Sequence, residues 1–212
     1  MPAEALQPIT DSKLSTLKEA VRRYHSAAFM AADWFDARGV SEESRNTFRL
    51  GLCEDPIPGH EQYEGMICIP YLDSIGRVLK VRFRRLSGDG PKYMDLSHEH
   101  SRMFNTKAIL NADRELHATE GEMDAIILEQ LGYHAVALPG ATQWQKHHPK
   151  MLAGFERIYA WGDPDSAGAD FNERILTSMR QAQAVKLTED VNDTYLSGGA
   201  EAIEEAVKKV IW

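Results

Sequence analysis

Residues 157–168, Arg157-Ile158-Tyr159-Ala160-Trp161-Gly162-Asp163-Pro164-Asp165-Ser166-Ala167-Gly168, decide how the second half of the chain reads. The run from Arg157 to Trp161 has strand length and β-favouring residues, Gly162 to Ser166 punctuate it, and Ala167 to Met179 carries a helical pattern. The same unit recurs on both sides. Leu116 to Thr119 reads as a strand and Met123 to Leu131 as a helix. His134 to Leu138 reads as a strand and Trp144 to Leu152 as a helix. Downstream come a strand over Ala184 to Leu187 and a terminal helix over Ala200 to Ile211. Strands alternating with helices predict a parallel sheet flanked by helices. No internal repeat or low-complexity tract interrupts it.

The first half differs. Residues 11–38 read as helix, with Leu14, Leu17, Val21 and Tyr24 at helical spacing, then Phe29, Met30, Trp34 and Phe35, and Gly39 as the residue that ends it. Ser41 is placed to cap a short helix to Phe48, closed by Gly51. A loop over residues 54–64 precedes a hairpin: Met66 to Tyr71, a turn at Asp73 to Gly76, then Arg77 to Leu86. On the returning strand Leu79, Val81 and Phe83 alternate with Lys80, Arg82 and Arg84, so one face is apolar and the other basic. The expected class is α/β with an α+β N-terminal lobe over residues 1–112 and the parallel sheet over residues 113–212.

Three acidic clusters follow predicted strands: Glu120-Gly121-Glu122-Met123-Asp124, Asp163-Pro164-Asp165, and Glu189-Asp190-Val191-Asn192-Asp193. In open parallel sheets ligands bind beyond the carboxyl ends of the strands, where these clusters would converge. Crowded carboxylates repel unless a cation neutralises them, and magnesium prefers such hard oxygen ligands. Acidic residues at helix N-termini also complement the helix dipole, which by itself would explain Glu122 and Asp124.

The 212 residues suffice for one core or two small lobes. At 43% hydrophobic and 26% charged the composition is that of a globular protein rather than a disordered one. The net charge of −8 argues against a protein that coats nucleic acid, although a local basic groove is compatible with it. No apolar run reaches membrane-spanning length and the N-terminus has no signal-peptide pattern, so the expected compartment is the cytoplasm. Cys53 and Cys68 match no zinc or redox spacing and read as structural.

Glu120-Gly121 followed by Asp163-Pro164-Asp165 resembles the TOPRIM domain of primases, topoisomerases and some nucleases. The extension to Asp124-Ala125, Ala167-Gly168 and Asp190-Val191-Asn192-Asp193 is similar to primases of the DnaG type, particularly those of phages and mobile elements. Arg38-Gly39-Val40-Ser41, Phe48-Arg49-Leu50-Gly51, Gly76-Arg77-Val78, Arg84 and Pro91-Lys92-Tyr93 resemble the opening of the primase catalytic core. The likeness spans roughly residues 24–197.

That resemblance implies a TOPRIM, Rossmann-like parallel sheet beside a smaller helical and β-hairpin lobe, and a metal-dependent enzyme that makes short RNA primers on single-stranded DNA. It implies Asp163 and Asp165 as principal ligands of magnesium or manganese, with Asp124, Asp190 and Asp193 supporting a second ion. Glu120 is implied as general base or metal ligand. Arg84 and Lys92 would meet triphosphate or template, Lys80 and Arg82 would extend that contact, and Arg102 is the best candidate for a further basic residue. Nucleoside triphosphates and single-stranded DNA are the implied partners. Because the sequence holds no zinc-binding quartet, a replicative helicase or a separate zinc-binding protein is expected in trans, in the host cytoplasm if the chain is phage-encoded. A TOPRIM nuclease, or an inactive module that only binds single-stranded DNA, are the alternatives.

Overall fold

The computed structural model describes residues 8–97, 100–139 and 144–210. The chain divides into two compact units, Met1–Trp34 with Glu42–Arg102, and Phe35–Ser41 with Met103–Trp212.

The first unit is built on an antiparallel sheet. Its helix α1 (Asp11–Ser26) is capped by Thr10, whose hydroxyl accepts the Lys13 N–H, and buries Leu17, Ala20, Val21 and Tyr24 at the expected spacing. The continuous helix expected over residues 11–38 breaks after Ser26. The Ser26 hydroxyl donates to the Arg23 carbonyl, and the next amides bond three residues back, Ala27 to Tyr24 and Met30 to Ala27. A 3₁₀ turn over Ala28–Ala31 and a short α2 (Ala32–Asp36) follow.

The helix α3 (Glu42–Thr47) also ends differently from expectation. Arg49, not Gly51, takes the left-handed position (φ 52°), and the Leu50 amide reaches back to the Arg45 carbonyl. The Arg49 guanidinium donates to the Gly76 carbonyl at 2.8 Å, which anchors that conformation. Gly51 instead begins β1 (Gly51–Leu52) against the α1 backbone, where a Cβ would collide with the Tyr24 carbonyl.

The sheet continues through β2 (Ile67–Leu72), β3 (Val78–Arg84) and β4 (Tyr93–Asp95) in sequence order. The Asp73 carboxylate forms the β2–β3 turn by accepting the Ile75 and Arg77 amides. Tyr63 stacks on Phe83 at 4.1 Å within a core that also holds Tyr24, Ile57, Cys53 and Cys68. Burial raises both thiols, Cys53 to about 11, in keeping with structural cysteines.

The second unit holds a four-stranded parallel sheet in the order β6-β5-β7-β8, made of β5 (Glu115–Thr119), β6 (Ala135–Ala137), β7 (Arg157–Trp161) and β8 (Ala182–Ala184). Four helices and a short turn accompany it: α4 (Ala108–Asn111), α5 (Glu122–Gln130), α6 (His148–Leu152), α7 (Ser166–Ser178) and α8 (Val191–Lys208). β5 and β7 stand where the sequence predicts, each followed by a glycine beside acidic residues that closes the strand.

Three boundaries move. Met103 and Ala108 belong to the parallel-sheet core and Phe104 bridges Ala137, so the division falls at Arg102–Met103 rather than near residue 112. The strand β8 pairs Ala182 with Ile158 and Ala184 with Ala160, two residues earlier than expected. The helical region of α8 begins at Val191, in two stretches parted by the non-helical backbone of Gly199 (φ 68°); the second stretch, from Ala200, stands where the sequence predicts, and the first is an addition. His148 is buried, and its Nδ1 accepts the Gln145 amide. Its neighbour His147 stays exposed. Among the described residues no helix is long and apolar enough to cross a membrane.

Candidate active site

Each acidic cluster lies where a strand gives way to a helix. β5 ends at Thr119, whose hydroxyl donates to the Gly121 carbonyl at 2.8 Å and turns the chain so that Glu120 precedes the first turn of α5. β7 ends at Trp161, and Asp165 takes the N-cap of α7, accepting the Gly168 amide at 2.8 Å. Asp190 takes the N-cap of α8 in the same way, accepting the Asp193 amide at 2.7 Å. Asp124 is buried in α5, and its Oδ1 accepts the Asn192 amide at 3.1 Å, also at the start of α8.

Three of the six expected carboxylates therefore accept backbone N–H groups at helix starts. Glu120 differs. Its Oε2 is buried with no hydrogen-bond partner. Its pKa is raised by burial first, then by the negative charges of Asp163 and Asp165, with the Asp163 amide partly offsetting them. Glu120, Asp163 and Asp165 are thus brought within electrostatic reach of one another across β5 and β7.

Glycine shapes this edge. A Cβ on Gly168 would fall inside the Asp163 backbone, and one on Gly162 would fall on the Gly168 carbonyl. The Gly162 amide is held by Asn172 at 3.0 Å. The turn that presents Asp163 and Asp165 is thereby clamped to the first turns of α7.

Beneath it, the Trp161 indole donates to His117 Nδ1 at 2.9 Å, and His117 stacks on Tyr159. Burial drives the His117 pKa down to about 3, so the imidazole is neutral and accepts that bond. The pairing of Trp161 with His117, on a neighbouring strand, carries no local signal in the sequence.

An orphaned buried carboxylate oxygen beside two further carboxylates fits a hard divalent cation. Among the described residues no group of three His, Cys, Asp or Glu side chains is positioned to hold a metal ion.

The basic residues belong to the first unit. Lys80 and Arg84 are buried rather than solvated. Lys80 Nζ meets Asp95 at 2.7 Å and lies 5.2 Å from the Tyr71 ring. Arg82 lies over Tyr93 at 4.5 Å and 3.8 Å from the same Asp95 oxygen. Arg84 lies 5.1 Å from Trp34 and 5.3 Å from Tyr93. Lys92 is exposed at the edge of Tyr93, and Arg102 is half-buried with its Nε unpartnered. The sequence identified these cations but not Asp95 or the aromatic rings that cover them.

Residues 118–195 match the Toprim-like family. The Gene 57 protein of Mycobacterium phage D29 is 33% identical over 151 residues, which are 68% of this chain and 99% of the phage protein. The chain belongs to the family of the D29 Gene 57 protein. Members of this family can be set beside a larger relative, the DNA primase of Deinococcus radiodurans, 24% identical over 84% of this chain. The chain spans 39% of that primase's length.

Among solved structures, the zinc-binding and RNA polymerase domains of Aquifex aeolicus primase superpose with a TM-score of 0.80 at 18% identity, covering 99% of this chain and 64% of that one. A DnaG primase catalytic domain bound to single-stranded DNA gives 0.75 at 21%, covering 93% and 78%. The primase fragment of the bacteriophage T7 primase-helicase gives 0.64 at 23%, covering 81% and 72%. At these identities the likeness is one of fold. This D29 Gene 57 relative has the fold of the DnaG catalytic core.

Proposed function

We propose that this chain is the catalytic core of a DNA primase, joining ribonucleotides into short primers on single-stranded DNA. The observation that carries the reading is the Glu120 carboxylate, with a buried oxygen left without a partner beside Asp163 and Asp165, in a chain with the DnaG catalytic-core fold.

Primer extension forms a bond from a 3′-oxygen to the α-phosphorus of a nucleoside triphosphate. The bond to the bridging oxygen breaks, and pyrophosphate leaves with that electron pair. A bound Mg²⁺ or Mn²⁺ ion, two in the fullest form, would offset the charge that develops on the phosphates. Asp163 and Asp165 would hold it. The Glu120 carboxylate, with its proton affinity raised, suits it to take the hydroxyl proton.

Asp124 and Asp190 contribute by fixing the start of α8, and Asp193 by lying in its first turn, from which a second ion's waters could be oriented. Arg84, Lys92, Lys80, Arg82 and Arg102 supply the cationic surface for template and triphosphate. A replicative helicase is a partner by likeness to the T7 primase-helicase fragment, and a separate zinc-binding protein is a further one that the primase resemblance implies. The site of action is the cytoplasm, that of the host if the chain is phage-encoded.

The test is synthesis on an unprimed single-stranded template with four ribonucleotides and Mg²⁺ or Mn²⁺. Template-dependent oligoribonucleotides are the expected product. Shortening of the DNA without any nucleotide incorporation would make the chain a nuclease instead.

A further inference from the structure

The strand β3 carries a feature that primer synthesis alone does not call for. Lys80 is almost withdrawn from solvent, with 6% of its side chain exposed, whereas its partner Asp95 keeps 41% exposed. One oxygen, Asp95 Oδ1, lies 2.7 Å from Lys80 Nζ and 3.8 Å from Arg82 Nε. Asp95 is held at that spot by its backbone. It pairs with Arg82 in the β3–β4 register, and its carbonyl accepts the Tyr63 hydroxyl at 2.9 Å. The backbone is fixed while the carboxylate stands at the surface, between two cations that also lie against Tyr71 and Tyr93.

We propose that the Asp95 carboxylate is an internal stand-in for a template phosphate. It offsets one of the two positive charges of Lys80 and Arg82 and keeps both in place, and it gives way when a phosphodiester oxygen of single-stranded DNA takes its place. This rests on the reading of β3 as a template-binding strand. A carboxylate and a phosphodiester each carry one negative charge, so the exchange leaves the net charge around the two cations unchanged. Asp95 would then lower both the affinity for DNA and its dependence on salt, and allow the strand to let go of template as the core moves along it. A near-buried lysine without a counter-ion is costly, which explains why an acidic residue stands here rather than open solvent.

The prediction follows from counter-ion release. Replacing Asp95 with Asn keeps an oxygen near Lys80 and removes the competing charge. One additional phosphate contact on a single strand steepens the plot of log affinity against log salt by about 0.7. At about 0.1 M salt the same slope gives roughly fivefold tighter binding. The measurement is fluorescence anisotropy of a labelled oligothymidylate across a salt series. It compares the wild type, Asp95→Asn, Asp95→Ser, and the charge-matched control Glu64→Gln, which alters an exposed residue of the same unit.

Tighter, more salt-sensitive binding by the Asp95 variants, and not by Glu64→Gln, is the expected result. Equal gains in all three would reduce the effect to net charge and overturn the proposal. So would unchanged or weaker binding by the Asp95 variants, or loss of cooperative melting in both of them, since either makes the carboxylate a structural counter-ion. The underlying reading is judged separately with Lys80→Ala/Arg82→Ala. If that double variant binds DNA as the wild type does, β3 is not the template strand at all.

Discussion

On β3 three cations lie within a short stretch, and at the carboxyl edge of the parallel sheet three carboxylates do. The protein treats the two groups in opposite ways. Lys80, Arg82 and Arg84 are covered by Tyr71, Tyr93 and Trp34, and the Asp95 carboxylate offsets one charge of the first two. At the acidic edge Asp165 accepts a backbone amide, and the buried Oε2 of Glu120 is left without a hydrogen-bond partner. The charges of Asp163 and Asp165 raise the Glu120 pKa rather than lower it. The Asp95 carboxylate lies between the first two cations of the basic strand, whereas the proposed function leaves the acidic edge to a cation.

The largest expected effect tests the acidic side. Asp163→Ala should lower nucleotide incorporation by about 10² to 10³-fold, the range for removing a group that stabilises developing charge. It should also raise the melting temperature, because one of the charges acting on Glu120 is gone. Asp165→Ala should lose comparable activity but melt lower, since the α7 cap to Gly168 is lost at a cost of about 1 kcal/mol. Near-full activity in Asp163→Ala would reduce this edge to a set of helix caps.

The second effect is steric. Gly168→Ala pushes a methyl group into the Asp163 backbone. It should destabilise the fold by about 1–3 kcal/mol, the usual cost of overpacking, and reduce activity in the surviving protein, because the displaced segment carries Asp163. Denaturant unfolding alongside a primer-extension assay measures both. A fully active, fully stable variant would show that the turn is not clamped as described.

A smaller effect sharpens the basic side. Lys92 is exposed and, among the described residues, makes no ion pair; it only flanks Tyr93. Its charge is open to phosphate, in contrast to that of Lys80. Lys92→Ala should flatten the salt dependence of single-stranded DNA binding by about 0.7 in log–log slope. An unchanged slope would put the template elsewhere.

How much of this was legible in the sequence follows from what each element needs. β7 could be read because Ile158-Tyr159-Ala160-Trp161 form an apolar run, and both β5 and β7 because a glycine beside an acidic residue marks where each stops. β4 could not, because Tyr93, Met94 and Asp95 are half-buried or exposed and form no apolar run. The stretch of α8 from Ala200 was legible because Gly198-Gly199 mark a helix boundary and Gly199 does break the helix, but the stretch that begins at Val191 was not. Glu120 was legible as a candidate by its place after β5, but its orphaned oxygen was not. Nor was the Lys80–Asp95 pair, since both depend on side chains brought close only by the finished sheets. Asp124 and Asp190 were legible as acids at helix starts, but which backbone amides they accept required coordinates.

The least conspicuous expectation concerns Glu120 and pH. Its folded-state pKa is raised by burial and by Asp163 and Asp165, so the folded protein holds this proton more tightly than the unfolded chain does. The stabilisation from that proton is complete below the unfolded value, about 4.3, and is lost as pH rises through the raised folded value. At neutral pH the ionised Glu120 is therefore a destabilising group. Glu120→Gln should melt higher than the wild type at pH 7, by something on the order of 2 °C, and the difference should vanish near pH 4. Magnesium adds a second arm. If the cation is what this edge awaits, Mg²⁺ at pH 7 should raise the melting temperature of the wild type more than that of Glu120→Gln, because only the wild type has a repulsion for it to relieve. Melting curves by circular dichroism over pH 4 to 7, with and without Mg²⁺, separate the cases. A wild-type to variant difference that is the same at every pH would mean that Glu120 is not perturbed by Asp163 and Asp165. Equal responses to Mg²⁺ would move the cation away from Glu120.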